Sequence, residues 1–143
     1  MRHFTHVAGG ILAGIISMKL GAGIAGFPAA IFGSVLPDSD LPTGHAVKRF
    51  LKKALLKHRG VTHSLLFAAI VSAGVWFLSR DAGMGLLLGI ASHLALDSLN
   101  PMGVELFWPL KKRVRGKIKY RIDNDIKLTA LLIACSAVVW VYF

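Results

Sequence analysis

Between Gly83 and Asn100 the chain reads GMGLLLGIASHLALDSLN, an apolar segment that carries one histidine, His93, and one aspartate, Asp97. Four residues apart on a helix, an imidazole and a carboxylate lie on the same face, one turn above the other. A surface helix would show charges along its outer side, and this segment shows none, so it is expected to be buried in protein or in lipid. Ionisable groups in such surroundings carry a heavy desolvation cost unless a partner compensates it. Any fold for this chain must therefore bring partners to His93 and Asp97.

Composition defines the class. The chain has 143 residues, about one domain's worth, and 55% of them are hydrophobic, yet its net charge is +10. These properties are compatible because the basic residues are segregated. Of 17 Lys and Arg, six lie between Lys48 and Arg59 and seven between Lys111 and Arg121. A basic chain organised in apolar blocks reads as an integral membrane protein. Cys135 is the lone cysteine, which rules out an intrachain disulfide.

The blocks predict an all-α, multi-pass helical bundle in a single membrane-embedded domain spanning 1–143. A signal-peptide reading of the first 18 residues is disfavoured, because Leu20 to Leu36 continues as a second apolar run with Lys19 as the only intervening charge. The two runs form a hairpin turning near Lys19–Gly23, rich in small residues that allow close packing. It returns to LPDSD, where Asp38 and Asp40 sit in a turn held by Pro37 and Pro42. His45 to Lys57 then has the periodicity of a basic amphipathic helix suited to an anionic membrane surface, with Val47, Phe50, Leu51, Ala54 and Leu55 on its apolar face. No base-reading module accompanies it, so specific nucleic-acid binding is not expected.

Leu65 to Ser79 and Gly83 to Asn100 form a second hairpin, joined by a turn at Arg80–Ala82. Phe107 and Trp108 follow as interfacial anchors. From Arg113 to Asp123 basic and apolar residues alternate, the pattern of an extended or hairpin-like segment with one basic face. Leu128 to Phe143 is a last apolar helix ending in an aromatic belt of Trp140, Tyr142 and Phe143.

Both Lys/Arg-rich connections are expected on the cytoplasmic side of the cell membrane. That topology gathers His6, Asp38, Asp40, His58, His63, His93 and Asp97 at one membrane face. Histidine and aspartate without thiolate form the ligand set of zinc or a similar divalent ion in a hydrolytic site. An ion would also relieve the cost of burying His93 and Asp97.

The succession of His6, LPDSD, HRGVTHS, SHLALD and NPMGVELFWPL resembles the YdjM-like family of membrane-bound metal-dependent hydrolases, from His6 to about Leu110. That family is distantly similar to the zinc-dependent phospholipases C and the single-strand-specific zinc nucleases, which are helical and hold clustered zinc. The resemblance implies that His93 and Asp97 are metal ligands, with Asp97 bridging two ions. Asp38 or Asp40, with His63 or His58, would complete one site, and His6 would serve the other. This chain has Leu41 where the family usually has a histidine, and no histidine follows His93, so one or two ions are expected rather than three.

The function expected on these grounds is hydrolysis of a phosphoester, such as a phospholipid head group, by metal-activated water. Arg59 is the candidate clamp on a phosphate oxygen, and His58 the candidate proton shuttle or further ligand. Membrane lipids with anionic head groups are the expected partners. Two alternatives are a transporter and a non-catalytic membrane protein whose metal is structural and whose basic face binds lipid or a partner. Clustering of the ionisable residues at one face weighs against a transport path, which needs polar groups through the membrane's depth.

Overall fold

The computed structural model describes residues 2–38, 61–110, 112–119 and 121–142. The amphipathic stretch at 45–57, and with it Asp40, His58 and Arg59, lies outside the described residues. Among these residues five helices follow in order: α1 (His3–Lys19), α2 (Gly26–Val35), α3 (Leu65–Leu78), α4 (Arg80–Ser98) and α5 (Ile122–Tyr142). Short 3-10 turns at Leu36–Asp38 and Val61–His63 flank the stretch that is not described. Among the described residues no strand forms beyond an isolated antiparallel bridge between Val104 and Val114.

Helix α4 is the centre of the assembly, packed against α2, α3 and α1, while α5 lies along α1. Small residues set how closely α4 approaches α2. A Cβ on Gly85 would collide with the carbonyl of Gly26, and one on Gly89 with the carbonyl of Ala30. The two backbones therefore touch, as in tightly packed helix pairs of membrane proteins. Around this seam Leu36, Ala68, Leu86, Ile90 and Leu94 form the apolar core. Helices α1 and α5 are tied near their starts by a hydrogen bond from Thr129 Oγ1 to Thr5 Oγ1 at 3.0 Å. At the other end the Lys19 ammonium lies over the Trp140 ring.

Two helices are apolar on the outside. On α5 the buried residues are Asp125 and Ser136, while Leu131, Ile133, Val138 and Trp140 are exposed. On α3 the buried residues are Ala68 and Ser72, while Ile70, Trp76, Phe77 and Leu78 are exposed. A helix on a water-soluble domain shows the opposite pattern. The buried hydroxyls of Ser17, Ser34 and Ser136 are satisfied within their own helices, each donating to a carbonyl three or four residues earlier.

The helix limits differ from the sequence reading in three places. Arg80 to Ala82 is the first turn of α4 rather than a connection. Ser79 alone makes the break, with φ −153° and ψ 114°, and its hydroxyl caps the new helix by accepting from the Ala82 N–H. Helix α2 keeps only 10 residues of the second apolar run, because Leu20 to Ala25 are used in the turn, where Gly21 takes φ +90°. Helix α5 starts at Ile122, six residues before the apolar run. Among the described residues, α5 is the one helix both long and apolar enough to cross a bilayer. At 10 and 14 residues, α2 and α3 rise only about 15 and 21 Å.

Candidate metal centre

Four side chains from three separate elements converge beside the α2–α4 seam. Asp38 comes from the turn after α2, His63 from the turn before α3, and His93 and Asp97 from the last two turns of α4. One ligand atom from each lies within 4.8 Å of all the others. Their positions follow from local structure. Ser64 caps α3 by accepting from the Phe67 N–H at 3.1 Å, which fixes the chain entering the helix and sets His63 just ahead of it. Pro37 stops α2 and turns Asp38 back toward α4.

The distances suit a small divalent cation. His63 Nε2 lies 3.2 Å from Asp38 Oδ1, 3.4 Å from His93 Nε2 and 3.8 Å from Asp97 Oδ2. His93 Nε2 lies 3.8 Å from Asp38 Oδ1 and 3.9 Å from Asp97 Oδ2. Ligand bonds of about 2.1 Å in a tetrahedron give edges of about 3.4 Å, so small movements would close these donors on one ion.

The protonation pattern of the histidines agrees. His93 Nδ1 lies 2.7 Å from the Ser34 carbonyl, which can only accept, so Nδ1 carries the proton and Nε2 presents its lone pair to the cluster. Ser34 stands in the last turn of α2, where carbonyls lack partners within the helix and are open to such a bond. His63 Nδ1 lies 3.1 Å from the Thr62 hydroxyl, which can donate or accept. Thr62 therefore fits either His63 tautomer: one that donates from Nε2 to Asp38, or one that turns its Nε2 lone pair to a metal. Burial of Asp38 and Asp97 side by side otherwise sets two like charges together in a poor solvent. The hydrogen bond from His63 holds the Asp38 carboxyl down at about 2, against the opposing effect of burial.

His6 extends the cluster. It is 1% exposed, and neither ring nitrogen has a hydrogen-bond partner, although Nε2 lies 3.5 Å from Asp97 Oδ1. Such a buried, unsatisfied group costs about 1–3 kcal/mol unless something binds it. Asp97 thus turns Oδ2 toward His63 and His93 and Oδ1 toward His6. A carboxylate with its two oxygens facing two groups of histidines has the donor arrangement for two ions that share it. Asp38 is the exposed member, its side chain 26% accessible, whereas His63, His93 and Asp97 are almost fully enclosed.

Of the residues the sequence singled out, His6, Asp38, His63, His93 and Asp97 thus meet in one place, while Asp40, His58 and Arg59 lie outside the described residues. The sequence reading did not find the Ser34 carbonyl or Thr62. Thr62 could have been suspected from standing directly before His63. The Ser34 carbonyl leaves no trace in residue type.

Comparison with known proteins bears on the whole chain. Residues 1–143 match the family model described as YdjM inner membrane protein. The chain is 39% identical over 100 residues to the inner membrane protein YdjM of Escherichia coli (strain K12), covering 62% of this chain, and matches its Shigella flexneri counterpart equally. It spans about half the length of these curated relatives, 51% in each case. It is also 30% identical over 118 residues to a Bacillus subtilis (strain 168) protein named uncharacterized protein YvsG, covering 73% of this chain and 74% of that one. No solved structure matches it. On this full-length match the chain belongs to the YdjM inner membrane protein family.

Proposed function

We propose that this chain is a membrane-embedded, metal-dependent hydrolase acting on a phosphoester such as a phospholipid head group. The observation that carries the reading is the convergence of Asp38, His63, His93 and Asp97, with His93 Nε2 turned inward by the Ser34 carbonyl. Zinc suits this nitrogen and oxygen donor set best, as one ion or as two sharing Asp97. A divalent ion there supplies Lewis acidity toward a phosphoryl oxygen and acidifies water at neutral pH.

The remaining work belongs to the protein. His63, His93 and Asp97 make a buried, rigid floor, and the partly exposed Asp38 marks the side by which water and substrate enter. A catalytic centre keeps one position open, and the Asp38 side is where that position fits. The outward apolar surfaces of α3 and α5 support embedding in lipid. In the multi-pass arrangement proposed here the short α2 and α3 sit in a locally thinned bilayer, and the metal centre lies at the cytoplasmic face.

The test is metal content and hydrolysis on the same preparations. Purified wild type is expected to hold zinc and to cleave a phosphodiester or phospholipid, and Asp97→Asn to fold, hold less metal and lose cleavage. A wild type that holds metal but cleaves no lipid or nucleotide phosphoester would make the centre structural.

A further inference from the structure

The segment between α4 and α5 carries seven of the chain's cations and is not used by the metal centre. Residues 112–119 run extended across the C-terminal end of α4. Val114 exchanges both backbone hydrogen bonds with Val104, at 3.0 Å each. The Gly116 N–H donates to the Asn100 carbonyl at 3.2 Å, and the Ile118 N–H to the Leu99 carbonyl at 2.9 Å. These carbonyls end α4, where no helical donor reaches them, so the arm serves as the helix's cap. Only glycine allows contact this close, since a Cβ on Gly116 would collide with the Leu99 carbonyl.

Successive residues of an extended chain face opposite ways. With the backbones of Val114, Gly116 and Ile118 hydrogen-bonded to the bundle, the alternate positions Arg113, Arg115, Lys117 and Lys119 share the other side of the arm. Arg113 is held by Glu105 at 3.1 Å. Arg115, Lys117 and Lys119 are exposed and make no ion pair among the described residues. At the base of the arm Met102, Phe107 and Leu110 are more than half exposed, and the Trp108 ring lies open beside them. The base is anchored to α3 by the Leu65 N–H, which donates to the Leu106 carbonyl. Asn100 lies three residues beyond Asp97, about 4.5 Å along the axis, so this basic rail crosses within about a turn of the metal centre.

We infer that Arg115, Lys117 and Lys119 bind the phosphates of anionic phospholipids and hold those head groups beside the metal centre. The inference rests on the membrane embedding proposed above, and not on hydrolysis. Large apolar side chains beside a row of cations match the boundary between head groups and acyl chains, where aromatic rings and basic residues both gather. The rail has no helix or ribbon shaped for a nucleic-acid groove.

The full-length protein is reconstituted in dioleoylphosphatidylcholine vesicles with trace spin-labelled phosphatidylglycerol or phosphatidylcholine. The motionally restricted fraction of each probe gives their relative association. Wild type is expected to prefer phosphatidylglycerol, less so at high salt. The triple variant Arg115→Gln/Lys117→Gln/Lys119→Gln is expected to lose at least tenfold of that preference, each cation near an anionic surface being worth about fivefold. Lys117→Gln alone should lose several-fold, which guards against misfolding of the triple variant. Lys19→Gln/Arg80→Gln, at the opposite end of the bundle, should keep the wild-type preference. Undiminished preference in the triple variant, an equal loss in the Lys19/Arg80 control, or displacement of the lipid by a single-stranded oligonucleotide would each overturn the assignment. Wild type that binds the lipid but hydrolyses nothing would remove the proposed reaction and leave the rail.

Discussion

The imidazole rings of His6 and His93 lie face to face, their centroids 4.0 Å apart and their planes 20° from parallel. His93 is fixed by the Ser34 carbonyl, whereas neither nitrogen of His6 has a hydrogen-bond partner. His6→Phe keeps a ring in the stack and removes both nitrogens. We expect this variant to fold and to bind less metal per chain than wild type, with the four-donor site still filled. Elemental analysis of the purified proteins checks this, and wild-type stoichiometry in His6→Phe would remove His6 from the ligand set.

The glycines of α4 give a contrast in packing. Gly89→Ala drives a methyl into the Ala30 carbonyl, and the backbones must part to admit it. We expect a loss of about 1–3 kcal/mol or somewhat more, with weaker metal binding because His93 moves away from Ser34. At Gly74 of α3 nothing lies within 4 Å of the added carbon, so Gly74→Ala should be neutral or stabilise by up to about 1 kcal/mol. Thermal unfolding with and without chelator separates the two effects.

Asp38 gives a signed pH dependence. Its carboxyl is lowered from 3.8 to about 2 by the hydrogen bond from His63. A carboxyl with a depressed folded-state pKa contributes stability that is fully present above its unfolded value and is lost as the folded group takes up its proton. For the metal-free protein that contribution should therefore be complete above about pH 4 and fade toward about pH 2. Asp38→Asn should flatten this part of the melting-temperature profile. An unchanged profile in the variant would mean that Asp38 takes no part in it.

Helix α5 exposes Ile133 near its middle. If α5 spans the bilayer, a lysine there faces hydrocarbon at a cost of about 3 kcal/mol. Ile133→Lys should lower insertion of α5 in a glycosylation-mapping assay and reduce the carbonate-resistant fraction. Insertion equal to wild type would place α5 outside the membrane core.

The sequence made the candidate metal centre legible because its signals are local. His93 and Asp97 stand at helical spacing in an otherwise uncharged segment, Asp38 stands in a turn between two prolines, and His63 stands at a helix start. What it could not convey is set by backbone groups. The proton on His93 is decided by a carbonyl 59 residues away, and the cap of α4 comes from N–H groups of Gly116 and Ile118. Neither leaves a mark in residue type. The limits of α2 were hidden similarly, because an apolar run continues unbroken through the turn at Gly21, where only the φ angle signals the change of direction. The reading of Arg80–Ala82 as a turn relied on its charges, whereas the cap supplied by Ser79 decided the matter.

The bond between Thr5 and Thr129 has a consequence for biosynthesis. His6 is synthesised well before the helix that holds its neighbour Thr5, because Thr129 follows Thr5 by 124 residues. The histidine therefore gains this support only once α5 has been made. Maturation of the centre would then wait for α5, and a nascent chain stalled before α5 would present His6 without the contact that steadies its helix.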